Sequence, residues 1–414
     1  MNSLDITLLY LLAAVLGVVV CRQFKLPPML GYLVVGVVIG PNALALAQNS
    51  SGVRYLAEFG VVFLMFVIGL EFSLPKLRAM RRHVFGLGLS QVVLTLVITS
   101  AASLAMALLL PTWWKVSWQI AVALGGIMAM SSTAIVIKLM AERLELESEH
   151  GKRVVGILLF QDLAVVPLLI LVALLSPGSL DEDVGQILGL TVLKSVLAIG
   201  LIFVLGRRFI RPVFKAFATQ RQPEVFMALT LLTTMGMATV TAFAGLSLAL
   251  GAFLAGMLIS ETQYRYQVEE DIKPFRDVLL GLFFVTIGMK LNLALVFSEL
   301  FFVLVTVLFI LIGKFAVAAA ASRFFGSSPG NALRVGLWLC AGGEFGFVLM
   351  ALADAAHLLP DRILQIVLAS LLLTLLTAPI LAHYADRIVL RLVPSEWLMR
   401  SMQLTSIAAQ SLAT

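Results

Sequence analysis

Three kinds of residue are scarce in this chain, and each shortage excludes a class of protein. Charged residues make up only 13% of the 414 residues, against 61% apolar ones, so a water-soluble domain is excluded. The two cysteines, Cys21 and Cys340, provide no disulfide framework and no CxxC metal motif. The four histidines lie at or near the ends of apolar runs, which argues against a histidine-based metal site. The composition therefore indicates an all-α polytopic membrane protein embedded in a lipid bilayer.

Long apolar runs, separated by clusters of charged residues, Pro and Gly, predict about thirteen transmembrane helices. The first run, residues 6–20, has no basic flank and no cleavage site, so we interpret it as an uncleaved first span. Lys and Arg fall almost entirely in alternate loops, which predicts an outside N-terminus and a cytoplasmic C-terminus. The net charge of +6 then reflects membrane topology, and we expect no nucleic-acid partner.

Two of the predicted spans carry weak helix-forming residues near their centres. The fifth span contains Ser131, Ser132 and Thr133, and the twelfth contains a Gly-Gly pair that ends at Gly343, followed by Glu344. These residue types compete for backbone hydrogen bonds or expose the backbone. With about thirteen spans the two helices run in opposite directions, which predicts an inverted repeat with two crossed discontinuous helices and an ion site between them.

Asp162 lies in the middle of the apolar run from Gly156 to Pro167. At helical rise it lies about 15 Å from the inner end of its span, which is the depth of the bilayer midplane. A carboxylate there costs roughly 2.5–3.5 kcal/mol on insertion, so such residues generally have a function in proton or ion transfer. We interpret Asp162 as the site of a proton or a monovalent cation. The alternative is a structural carboxylate that caps a broken helix or pairs with Lys314.

Other polar residues are expected near the depth of Asp162. Gln161 offers a carbonyl oxygen to a cation or an interhelical hydrogen bond, and Ser132 and Thr133 offer oxygens or serve only packing. Lys314 needs a partner at this depth, either a hydrogen bond to the protein core or a fixed opposite charge. For Glu344 we favour the stabilisation of an exposed helix terminus, with ion binding as the alternative.

Together these motifs resemble the Kef-type potassium/proton antiporters (glutathione-regulated potassium efflux systems) of the monovalent cation:proton antiporter superfamily. The resemblance covers nearly the whole chain. It rests on Leu30-Gly-Tyr-Leu with Gly40-Pro41, residues 60–71, Ser131-Ser-Thr-Ala-Ile, Leu159-Phe-Gln161-Asp162 with Pro167, residues 251–256, residues 282–289 and Gly343-Glu344-Phe345.

The resemblance implies a sodium/proton-antiporter-like fold in residues 1–392, divided into a dimer subdomain and a mobile core subdomain, and a homodimer. It implies that Asp162 binds K⁺ or H⁺ in turn, without a cofactor in this chain. The crossed helices would bring Ser131, Ser132, Thr133 and, more weakly, Glu344 to the site, and Lys314 would be the core lysine. Because there is one carboxylate, one-for-one electroneutral exchange is our hypothesis.

The resemblance also concerns regulation and location. An acidic loop at residues 266–275, with Glu269, Glu270 and Asp271, aligns with the loop through which Kef proteins are held closed, although the usual histidine is absent. Residues 393–414 are expected to be a cytoplasmic tail or linker that leads to a nucleotide- or glutathione-binding regulatory domain or subunit. No GxGxxG motif follows a strand pattern in this sequence. The expected location is the bacterial inner membrane.

Three alternative functions compete with potassium/proton exchange. A sodium/proton antiporter remains an alternative, because Gln161-Asp162 contains nothing that distinguishes Na⁺ from K⁺ by size. A gated potassium channel needs a carbonyl filter of the TVGYG type, which the sequence lacks. An intramembrane protease needs a second aspartate at this level, or a serine such as Ser132 with Lys314 in a GxSxG motif, which is also missing. We therefore predict a transporter and not an enzyme.

Overall fold

The computed structural model describes residues 28–46, 51–71, 79–175, 212–216, 223–243 and 247–393, with isolated positions between 12 and 23 and between 200 and 208. All the regular elements within these residues are helices. They are α1 Pro28–Ile39, α2 Ser51–Glu71, α3 Arg82–Leu109 with π-helical first turns, α4 Trp118–Ala129, α5 Thr133–Glu142, α6 Glu149–Leu174, α7 Pro223–Phe243, α8 Leu248–Ser260, α9 Arg265–Met289, α10 Leu293–Ser298, α11 Leu300–Phe324, α12 Pro329–Leu339, α13 Glu344–Ala355 and α14 Asp361–Leu392.

The described helices support the predicted membrane protein. Six candidate spans are long and apolar enough to cross a membrane, namely α3, the α4–α5 pair, α6, α7, α11 and α14. A seventh is the α12–α13 pair, which bends by 46° at its break. The full count of about thirteen stays a prediction. Most of the first predicted span, the start of the seventh from residue 190, and the tail beyond residue 393 lie outside the described residues.

The helices pack into two groups. In the first, which we call the scaffold group, α2 packs along α8 and α9, α1 packs on α9, and α7 packs on α8. In the second, which we call the crossing group, α3 packs on α4 and α6, α13 packs on α4 and α6, and α11 packs on α12 and α14. Contacts between the groups are sparser and include α6 with α8 and α1 with α14.

Backbone-to-backbone contacts at glycines hold the scaffold group together. A Cβ atom on Gly256 would lie 2.0 Å from the Phe66 carbonyl oxygen, and one on Gly36 would lie 2.1 Å from the Val285 carbonyl oxygen. Such distances leave no room for a side chain, so the helices can approach this closely only through glycine. Gly36 and Gly40 both pack closely within this chain, against α9.

The two helix breaks of the crossing group lie against each other. Met130–Ser132 separates α4 from α5, and Cys340–Gly343 separates α12 from α13. A Cβ atom on Gly343 would lie 2.3 Å from the carbonyl carbon of Ser131, so the two extended segments touch backbone to backbone. The predicted pair of crossed discontinuous helices is present.

The expected loop at residues 266–275 is wrong, because these residues form the first turns of helix α9. Val268 and Ile272 are fully buried and stand one helical turn apart, so they share one apolar face. Pro274 lies inside the helix and does not end it. The same turns carry the three acidic residues predicted to be regulatory, Glu269, Glu270 and Asp271.

The contact at Gly343 leads to a stability prediction. We expect Gly343→Ala to destabilise the protein by about 1–3 kcal/mol, because the new methyl group overlaps the Ser131 backbone. The matched control is Gly236→Ala on α7, where no described residue lies within 4 Å of the added carbon and no loss is expected. The midpoint of thermal unfolding in detergent measures both variants. Equal midpoints for the two variants would contradict the crossing geometry.

Candidate functional site

Asp162 on α6 contacts the first residue of α5, directly after a helix break. The Thr133 hydroxyl donates a hydrogen bond to Asp162 Oδ1 at 2.9 Å. Both side chains are half-buried, whereas Ser131 and Ser132 beside them are buried. The two side chains therefore bring a carboxylate oxygen and a hydroxyl oxygen together at the edge of the crossing. Oxygens are the ligands that alkali cations take in membrane proteins.

The charges near Asp162 are mainly negative. Its electrostatic neighbours are the carboxylates of Glu344 and Glu71. Lys314, which the sequence offered as a partner for Asp162, donates instead to the backbone carbonyl of Met130. An ionised Asp162 thus lacks this lysine as a partner, and a proton or a bound cation would neutralise it.

Side chains satisfy the backbone groups that the first helix break leaves without intrahelical partners. Lys314 is 2% exposed and caps the Met130 carbonyl at the C-terminal end of α4. The Ser131 N–H donates to Gln161 Oε1 at 2.7 Å, and the Ser131 hydroxyl donates to the Leu339 carbonyl at 3.0 Å. In a membrane these groups have no water to bond, so the caps are required for the broken conformation.

Gln91 on α3 also belongs to this network, and our sequence analysis missed it. Its Oε1 accepts a hydrogen bond from Gln161 Nε2 at 2.8 Å. Its Nε2 donates to Thr95 Oγ1 at 3.1 Å and to the Ala129 carbonyl at 3.4 Å. Both glutamines are fully buried, at 0% exposure. The signal in the sequence was an amide inside an otherwise apolar run, although nothing local indicated its partners.

Glu344 lies where two helix N-termini meet. It is 6% exposed, it belongs to the first turn of α13, and its Oε1 accepts a hydrogen bond from the Ala134 N–H of α5 at 3.2 Å. Helix N-termini carry partial positive charge and C-termini partial negative charge. The carboxylate of Glu344 therefore complements two N-termini, while the ammonium of Lys314 complements the C-terminus of α4.

Of the remaining predicted residues, Ser132 belongs to this site and the three acidic residues of α9 do not. Ser132 is the N-cap of α5, where its hydroxyl oxygen accepts from the Ile135 N–H at 3.3 Å. Glu269, Glu270 and Asp271 lie on α9 in the scaffold group and are not part of the crossing. The structure thus brings together one cluster of predicted residues, Ser131, Ser132, Thr133, Gln161, Asp162, Lys314 and Glu344.

Comparison with known proteins identifies the family. The model of the transmembrane sodium/hydrogen exchanger family matches residues 9–383. The chain belongs to the sodium/hydrogen exchanger family. It is 44% identical over 326 residues to K(+) efflux antiporter 1 and K(+) efflux antiporter 2, both chloroplastic, of Arabidopsis thaliana. These alignments cover 78% of this chain but 27% of each relative, so the exchanger chain spans about a quarter of their length.

Solved structures of distant exchangers share the fold. The sodium proton antiporter MjNhaP1 from Methanocaldococcus jannaschii superposes on this chain with a TM-score of 0.67 at 18% identity. The superposition covers 94% of this chain and 99% of the antiporter. An electron-microscopy structure of the same antiporter gives a TM-score of 0.66 at 17% identity and 95% coverage of this chain. The predicted sodium/proton-antiporter-like fold is confirmed.

The Lys314 cap leads to a second stability prediction. Lys314→Met keeps the length of the side chain but leaves the Met130 carbonyl without its donor, which we expect to cost about 1–3 kcal/mol. Lys138→Met on α5 is the control, because Lys138 is 55% exposed and pairs only at the surface with Glu142. Thermal unfolding in detergent compares them. A Lys314→Met protein as stable as the control would show that the cap is dispensable.

Proposed function

We propose that this exchanger family member is a secondary transporter that exchanges K⁺ for H⁺, with Asp162 binding each ion in turn. The observation that carries the proposal is the carboxylate–hydroxyl pair of Asp162 and Thr133, which lies beside a break where Lys314 and Gln161 bond to the backbone. K⁺ is proposed as the cargo because the relatives at 44% identity are named K(+) efflux antiporters. Transport, rather than an enzymatic reaction, is the activity of the family to which the chain belongs.

Competition for one carboxylate is sufficient for exchange. Protonated Asp162 is neutral, and ionised Asp162 with a bound monovalent cation is neutral as well, so either form can cross the membrane at low cost. The proposed cation ligands are the oxygens of Asp162 and Thr133, with Gln161 and Ser132 contributing further oxygens. The carbonyl oxygen of Gln161 already accepts one hydrogen bond from Ser131 and has a second lone pair for a cation. No cofactor takes part in this cycle.

Alternating access would come from movement of the crossing group against the scaffold group. The packing of the described helices into these two groups supports the division of residues 1–392 into a dimer subdomain and a mobile core subdomain. An ion pair between Lys290, which follows α9, and Asp354 on α13 joins the groups, and we propose that it forms in one state of the cycle only. The scaffold group would form the interface of a homodimer.

The proposed partners and location come from the resemblance to Kef-type antiporters and from the relatives. The chain is an integral membrane protein, and we propose an outside N-terminus and a cytoplasmic C-terminus in a bacterial inner membrane. A plastid membrane is the alternative, because the two relatives are named chloroplastic. The tail at 393–414 would lead to a nucleotide- or glutathione-binding regulatory domain or subunit, and the acidic turns of α9 would be its contact, at Glu269, Glu270 and Asp271.

Sodium is the second candidate cation. The family description names sodium/hydrogen exchange, and the solved structures that share the fold are titled sodium proton antiporters. Both cations would occupy the same oxygens, so a direct comparison of the two salts decides between them.

The proposed function predicts loss of exchange in Asp162→Asn, which can neither ionise nor hold a cation by charge. The assay is cation-induced proton movement in proteoliposomes, with K⁺ against Na⁺. Asp361→Asn, at the exposed start of α14, makes the same chemical change outside the site and should exchange like wild type. Exchange in wild type that survives in Asp162→Asn would refute the assignment of the carboxylate. K⁺ flux without proton movement would indicate a channel.

The single carboxylate predicts the stoichiometry. One H⁺ displaced by one K⁺ moves no net charge, so turnover in liposomes should generate no current and should not respond to an ionophore that short-circuits the membrane. A K⁺-sensitive dye follows the K⁺ flux and a pH dye follows the proton flux. The ratio of the two fluxes should be about one if each K⁺ exchanges for one H⁺ at a single carboxylate. A measurable current during turnover would contradict electroneutral exchange.

A further inference from the structure

Two buried glutamines connect the two backbone groups on either side of Met130. The connection begins at the Ser131 N–H, passes through the side-chain amides of Gln161 and Gln91, and ends at the Ala129 carbonyl. The three hydrogen bonds along it measure 2.7, 2.8 and 3.4 Å. We call this chain the amide relay.

The ends of the amide relay fix the orientation of both side chains. A backbone N–H can only donate, so Gln161 must present its oxygen to Ser131 and its nitrogen to Gln91. A backbone carbonyl can only accept, so Gln91 must present its nitrogen to Ala129 and its oxygen to Gln161. Thr95 accepts the second N–H of Gln91 and strengthens the same orientation. If either side-chain amide rotated by half a turn, a donor would face a donor or an acceptor would face an acceptor at one end of the relay.

We propose that Gln91 is a positioning residue that holds Gln161 as an uncharged hydrogen-bond donor and so sets the geometry of the ion site beside it. Gln91 presents only an acceptor to position 161. An ionised carboxylate there would place an oxygen against Gln91 Oε1, in a location that is fully buried. Gln91 thereby keeps Asp162 as the one carboxylate of the Gln161-Asp162 pair. This inference rests on the proposed exchange at Asp162.

The relay reaches the ion site through the backbone. Ser131 is held at its N–H by Gln161, and two residues later Thr133 donates to Asp162. A shift of the extended segment Met130–Ser132 would move the Thr133 hydroxyl away from the carboxylate. Gln91 touches neither oxygen, so its loss should weaken cation binding through the position of Thr133 and not through a lost ligand.

The first test is a double-mutant cycle in proteoliposomes with Gln91→Leu, Gln161→Leu and the double variant. We expect Gln91→Leu to raise the apparent KM for K⁺ about tenfold, because it leaves buried amide and carbonyl groups unpaired. The double variant should be no worse than Gln161→Leu alone, since either change breaks the same relay. The control is Thr99→Val, another buried polar residue of α3, which makes none of the hydrogen bonds of the relay.

Additive effects in the cycle would overturn the inference, as would a Gln91→Leu protein with the KM of Thr99→Val. Where Gln91→Leu does not fold, Gln91→Asn replaces it, because this residue keeps the amide but is too short to reach both partners. The same criterion of additivity applies to it.

The second test uses charge. Gln161→Glu should exchange at acidic pH and lose activity as the pH rises, because only the protonated carboxyl can donate to Gln91 Oε1. Adding Gln91→Lys supplies a donor to both the carboxylate and the Ala129 carbonyl, so the double variant should regain activity at alkaline pH. A pH profile that Gln91→Lys leaves unchanged would overturn the proposed role.

The outcomes separate this inference from the proposed function. If Asp162→Asn still exchanges K⁺ for protons, the proposed function fails whatever the relay variants do. If Asp162→Asn is inactive and the cycle with Gln91 and Gln161 is additive, only the amide relay fails.

Discussion

A membrane helix that is interrupted midway exposes backbone donors and acceptors in a medium without water, and this requirement organises the site. At the first break three of these groups have a side-chain partner: the Met130 carbonyl has Lys314, the Ser131 N–H has Gln161, and the Ala129 carbonyl has Gln91. The carboxylate of Asp162 is not one of these caps and bonds instead to the Thr133 hydroxyl.

Much of this arrangement could be predicted from the sequence, because the signals were local. Paired breaks, an aspartate in an apolar run and a lysine at a similar depth were each visible within short windows. The identity of partners was not local: Gln91 lies 70 residues before Gln161, and its role appears only when α3 packs on α6. The sequence predicts a loop at the first turns of α9 because their charges and Pro274 outweigh the helical spacing of Val268 and Ile272.

The charged side chains of the crossing differ in what they contact. Glu344 lies at helix N-termini and Lys314 at a helix C-terminus, so each side chain faces a partial charge of opposite sign. Asp162 contacts a hydroxyl and no helix end in this way. In the proposed cycle it is therefore the group that a proton or a cation can occupy without breaking a contact that caps the crossed helices.

The sequence separation of the caps has a consequence for biosynthesis. The glutamine caps of the first break come from the same half of the chain, whereas Lys314 is made 184 residues after Met130, and Glu344 is made 210 residues after Ala134. At ribosomal speeds the first of these delays lasts roughly 10–40 s. During that time the nascent first half has only the two glutamines and the Ser132 N-cap to satisfy its break. The lysine and the glutamate add their contacts when the second half enters the membrane.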